Sequence, residues 1–121
     1  MTQEFIPYEQ ALALEELGFD EPCIATIDQT EFIHIKGTEY PIRGDMWYNT
    51  IDAPLYQQAF RWFREKCGLN YIIKEVGQGR FEATVYKGDG WATWDFGYKF
   101  NTYGEAELAC LKKLIEIIKN K

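Results

Sequence analysis

A chain of 121 residues with 46% apolar and 17% aromatic side chains has the material for one packed core and is too short for two ordinary domains. Its formal charge of −6 is unevenly spread: residues 1–52 carry eleven acids against Lys36 and Arg43, a balance of −9, while residues 53–121 carry eight acids and eleven bases, a balance of +3. The acidic first half argues against general affinity for nucleic acid or anionic membrane, because both reward Lys and Arg.

No run of eighteen apolar residues is present, so no segment reads as a membrane span. The opening Met1-Thr2-Gln3-Glu4-Phe5 lacks the charged-then-apolar order of a secretory signal. Cys23, Cys67 and Cys110 are odd in number and scattered, which suits free thiols in a reducing compartment. The expected location is the cytoplasm.

The first expected helix runs from about Pro7 to Leu17, with proline where a missing N–H costs nothing and Gly18 as a left-handed stop. Phe19 is expected to pack back on Leu14. Cys23–Asp28 and Glu31–Lys36 follow as the strands of a hairpin, Ile33 and Ile35 alternating with Phe32, His34 and Lys36. Residues from Gly37 to Asp52 show no period. A second helix is expected from Ala53 to Cys67, capped by Asp52 and ended by Gly68. Its apolar side is Leu55, Tyr56, Ala59, Phe60, Phe63 and Cys67.

Three strands come next, Tyr71–Val76, Arg80–Lys87 and Trp91–Phe100, joined by glycine turns at residues 77–79 and 88–90. Phe81, Ala83 and Val85 define the buried side of the middle strand. Trp94, Phe96, Tyr98 and Phe100 alternate in the third, where Phe96 and Tyr98 are expected to be buried. Thr102-Tyr103-Gly104-Glu105 is a capping box that opens the last helix, with Leu108, Leu111, Ile115 and Ile118 as its core stripe. The fold class is therefore α+β, an antiparallel sheet with helices packed on it in the order α-β-β-α-β-β-β-α, and residues 1–121 form a single domain.

Chemical motifs are weak. Asp95-Phe96-Gly97 matches a kinase magnesium triplet without the loops that give it meaning, and reads as strand. Arg43-Gly44-Asp45 matches an integrin-recognition triplet, which has meaning only outside the cell. The two glycine turns join strand to strand, whereas a phosphate cradle needs a helix behind its glycines. One histidine, His34, and no Cys-x-x-Cys pair leave no tetrahedral metal set, and serine is absent from the sequence. No catalytic residue, metal or cofactor is expected.

Residues 53–120 have the order α-β-β-β-α, and the stretch from Thr102 to Leu114 resembles the last helix of double-stranded-RNA-binding domains. That family grips phosphates with a lysine cluster at this helix's start; here the turn holds Gly104, Glu105 and Glu107, so RNA binding does not carry over. A second resemblance covers most of the chain. Residues 5–14, 17–23, 53–64 and the helix 106–118 resemble small uncharacterised proteins from phages and prophages of gut bacteria. It implies an accessory protein that acts on a component of the bacterial host, in the manner of an anti-defence factor.

The expected function is that of a non-catalytic binding protein whose partner is a host protein or a small nucleotide ligand, with self-association left open. One alternative is a sponge that sequesters a nucleotide signal. Others are a nucleic-acid-binding module and, last, an enzyme with a carboxylate site. The expected contact residues are Tyr40, Arg43, Trp47 and Tyr48 in the aperiodic segment, where sticky rings gather around one cation, and Arg61 and Arg64 on the second helix. The same rings could instead cover an open end of the core.

Overall fold

The computed structural model describes residues 4–35, 51–87 and 93–120. Its elements are mixed α and β, with the strands in two small antiparallel sheets. Two compact units divide the chain, Met1–Gln57 and Gln58–Lys121.

The first unit begins with helix α1 (Tyr8–Leu17). Pro7 is its extended N-cap residue rather than its first helical one, so the helix starts one residue later than expected. Gly18 ends the helix at φ 103, where the backbone is left-handed and a side chain would be strained. The Phe19 N–H then donates to the Leu14 carbonyl, and both side chains are buried.

Strands β1 (Ala25–Ile27) and β2 (Ile33–Ile35) form the expected hairpin, Thr26 opposite His34. A short strand, β3 (Ile51–Asp52), adds to the other side of β1, giving the order β2-β1-β3. The strand corrects the reading of Asp52 as a helix cap. Asp52 stands opposite Thr26 in a ladder, the Ala53 N–H donates to the Ala25 carbonyl, and the Pro54 carbonyl accepts from Ile6. Pro54 biases the residue before it away from helical backbone, so the helix starts later. Buried side chains of this unit include Ile6, Leu14, Ala25, Ile27 and Ala53.

Helix α2 (Tyr56–Trp62) passes into a π-helical turn at Phe63–Cys67, and Gly68 closes it at φ 70. Ala59, Phe63 and Cys67 recur every four residues, longer than the 3.6-residue period of a regular helix; a widened turn keeps that row in line. Trp62, outside the expected apolar side, is also buried.

In the second unit, β4 (Leu69–Glu75), β5 (Phe81–Lys87) and β6 (Thr93–Phe100) pair in sequence order. The β4–β5 turn has φ above zero at Gly77, Gln78 and Gly79. Ala83 and Val85 are fully buried, as the alternation requires, whereas Phe81 is only half-buried. It sits at the strand end and meets Tyr103 edge-on, at 6.0 Å between ring centroids. Register shifts interrupt β6: Val85 faces Trp94, but Ala83 faces Gly97 and Phe81 faces Phe100. A strict two-residue alternation therefore does not run through this strand. The side chains of Phe96 and Tyr98 lie outside the described set.

Helix α3 (Tyr103–Lys119) packs across β5, with further contact to β4 and β6. The forward half of its capping box is formed, the Glu105 N–H donating to Thr102 Oγ1 at 3.1 Å; the return bond comes from one residue earlier than expected, Glu105 Oε1 accepting from the Asn101 N–H at 3.1 Å. Ala106, Cys110, Leu111, Leu114 and Ile115 make its buried stripe, while Leu108 and Ile118, expected in it, are half-buried at its margin.

Candidate functional site

Four of the expected contact residues, Tyr40, Arg43, Trp47 and Tyr48, lie outside the described residues. Arg61 is in the last turn of α2 and Arg64 in the π-helical turn, and both are exposed. Cations at the end of a helix also complement its negative pole, so this pair has a structural reason to be there.

The second unit gathers a polar cluster that sequence reading missed. Tyr103, Glu107 and Cys110 are spaced four and three residues apart on α3, which puts them on one side of the helix. Tyr71 of β4 reaches the same place, close enough to the Tyr103 side chain for the two hydroxyls to influence each other. Burial, reinforced by Tyr103, pushes the Tyr71 hydroxyl up to about 12. Burial also raises the Glu107 carboxyl. The Cys110 thiol is pushed up to about 12, by burial first and then by Glu107.

Near neutral pH the tyrosine and the thiol thus hold their protons. A raised carboxyl can serve as a proton donor, but the neighbouring thiol is fully buried and is no thiolate. The helix spacing was visible in the sequence; the arrival of Tyr71 depends on the fold.

The first unit presents a different surface. Ala25 and Ile27 are buried, so the alternate positions of the same ladder form the outer side. Thr26 lies there, with Asp52 exposed opposite it on β3. Just before β1 stands Ile24, 57% exposed, and just before β2 stands Phe32, 61% exposed. Large apolar groups this open beside an antiparallel sheet are informative.

Phe32 is held firmly. Its carbonyl accepts from the Asp28 N–H, and its own N–H donates to Asp28 Oδ1 at 3.2 Å. The same oxygen accepts from the Thr30 N–H at 2.8 Å and from the Thr30 hydroxyl, so the buried Asp28 closes the turn from within. Glu31, at φ 70, turns its carboxylate to the Tyr8 N–H, 3.2 Å from either oxygen. A negative group at a helix start is favourable, and it fastens the hairpin end to α1. Outward Phe32 was legible in the alternation with Ile33 and Ile35; its rigidity was not.

Among the described residues, no group of three or more His, Cys, Asp or Glu side chains could hold a metal ion. No described helix is long and apolar enough to cross a membrane. Open depressions lie beside Ala109, Lys112, Lys113 and Glu116 on α3, and beside Val76, Gly77, Gln78 and Arg80 at the β4–β5 turn. No family model, curated protein or solved structure matches this chain.

Proposed function

We propose that the chain is a non-catalytic binding protein that meets its partner through the outer side of the β2-β1-β3 sheet. The observation that carries this reading is the pair Ile24 and Phe32, each more than half exposed and each directly preceding a strand of that sheet. A contact side built on strands and a braced turn loses little freedom on binding, which favours affinity. The resemblance to phage and prophage proteins adds a setting: the partner is a host protein in the bacterial cytoplasm, and the action is against host defence.

The test is quantitative capture from host lysate, with the wild-type chain and an Ile24→Ser/Phe32→Ser variant as parallel baits. Both positions are exposed, so the variant should keep its unfolding free energy within about 0.5 kcal/mol of wild type. A protein retained by the wild type and lost from the variant supports the reading. Identical captured sets from the two folded baits would sink it.

A further inference from the structure

We infer that a second copy of this chain pairs with the outer edge of β4, so that two three-stranded sheets join across a twofold axis at Ile72. This goes beyond the binding reading above and is independent of it, because β4 belongs to the second unit. Among the described residues, β4 is an edge of the order β4-β5-β6, and no strand pairs with its other side. Its ladder with β5 runs unbroken from Leu69 to Glu75, without the register shifts that interrupt β6. No proline or glycine falls within it, and its one lysine, Lys74, is turned inward to Glu82 of β5 at 3.7 Å. Natural edges are usually blunted by bulges, proline or outward charge, and a regular apolar edge is a template for another strand.

The groups that face outward follow from the turn. The Val76 N–H donates to the Arg80 carbonyl, so Val76 bonds toward β5, and by alternation Lys74 and Ile72 do too. The backbone groups of Tyr71, Ile73 and Glu75 therefore point away from β5. Side chains alternate as well. Tyr71 and Ile73 stand opposite Val85 and Ala83 on the buried side, and Ile72 stands on the other side opposite Thr84. Ile72 is 46% exposed there, in the middle of the strand.

Two antiparallel copies must match outward groups with outward groups, which puts the twofold axis on a residue. An axis at Lys74 sets that lysine against itself, and an axis at Ile73 sets Ile72 against Lys74. Axes nearer Leu69 shorten the overlap. The axis at Ile72 sets Ile72 against its own copy, Tyr71 against Ile73 and Lys74 against Asn70. Apolar groups meet there, and no like charges do.

The test is the mass of the full chain by sedimentation equilibrium as its concentration rises from about 10 μM to about 1 mM, with amide hydrogen exchange at both ends of the range. The expected result is a species of twice the 14.2 kDa chain mass, with slower exchange at Tyr71 and Ile73 as it forms. Ile72→Lys places two cations against each other on the axis, at an exposed position that folding should tolerate, and the variant should keep the single-chain mass throughout. Ile72→Glu should do the same, and an equimolar mixture of the two variants should recover the dimer.

A wild-type chain that keeps the single-chain mass and unchanged exchange overturns the inference. So does a dimer that Ile72→Lys leaves intact. A dimer lost in both variants and not recovered in their mixture overturns the twofold pairing at Ile72. If either variant fails to fold, wild-type exchange decides: protection that grows with concentration elsewhere, and not at Tyr71 and Ile73, overturns the edge.

Discussion

Phe60 lies flat on Tyr71, ring centroids 3.9 Å apart and planes 25° from parallel, so a buried ring of α2 braces the residue whose hydroxyl reaches α3. The two substitutions separate these contributions. Tyr71→Phe keeps the stack and deletes the hydroxyl beside Tyr103; it should change stability by no more than about 1.5 kcal/mol in urea unfolding. Phe60→Ala removes a buried ring and should cost about 3–5 kcal/mol. A Tyr71→Phe chain more stable than wild type would show that burying the hydroxyl costs more than its surroundings return.

Glu107 gives the second unit a pH dependence of definite sign. Burial raises its carboxyl in the folded state, so the native chain holds the proton more tightly than the unfolded chain does. Its favourable contribution is complete below the ordinary glutamate range and is lost as pH rises through the raised native value. Glu107→Gln should therefore raise Tm at pH 8 relative to wild type and make little difference at pH 3. Tyr71 acts in the same direction at the alkaline end: its contribution is intact below 10.0 and is lost as pH climbs toward about 12. A Tm profile of wild type, Glu107→Gln and Tyr71→Phe between pH 3 and 11 checks both.

Helix α3 depends on its start. Thr102→Ala removes the acceptor for the Glu105 N–H and should lower stability by about 1 kcal/mol. Thr102→Ser keeps an acceptor and should recover most of the loss. Chemical denaturation of the three chains, read by far-ultraviolet circular dichroism, measures the difference.

The three cysteines should react in a fixed order. Cys110 is fully buried with its thiol raised, Cys23 is buried, and Cys67 is half-buried at the end of the π-helical turn. Under native conditions iodoacetamide should modify Cys67 first and Cys110 last, since both access and thiolate character set the rate. Peptide mapping after short exposure reads the order directly, and early modification of Cys110 would contradict its burial.

Local signals in the sequence carried much of this architecture. Gly18 after Leu17, the alternation through Ala83 and Val85, and the box from Thr102 to Glu105 each name an element by chemistry confined to a few neighbours, and the structure has all three. Where the sequence misled, a distant partner intervened. Asp52 has the side chain of a helix cap, yet Ala25 and Thr26 draw that stretch into a ladder. The alternating aromatics of β6 look regular, yet the register against β5 shifts twice. The meeting of Tyr71 with Tyr103 has no local trace, because it requires β4 and α3 to be packed already. Arg61 and Arg64 could be placed on the wet side of a helix by period alone, and they are there. Exposed Phe32 was equally readable, but its importance depends on the turn held by Asp28 and Glu31.

The π-helical turn at Phe63–Cys67 has a consequence for how this chain tolerates changes in length. Such a turn spans one residue more than a regular helical turn, and here Arg64, Glu65 and Lys66 are all exposed. Excising Glu65 would let the backbone rewind as an ordinary helix while the buried Phe63 and the closing Gly68 are retained. What changes is phase: Cys67 and everything after it would rotate about the axis relative to Ala59 and Phe63. The loop would lose a codon without losing its helix, and the strain would fall on the entry into β4. A variant one residue shorter in this segment would be a regular-helix version of the same unit.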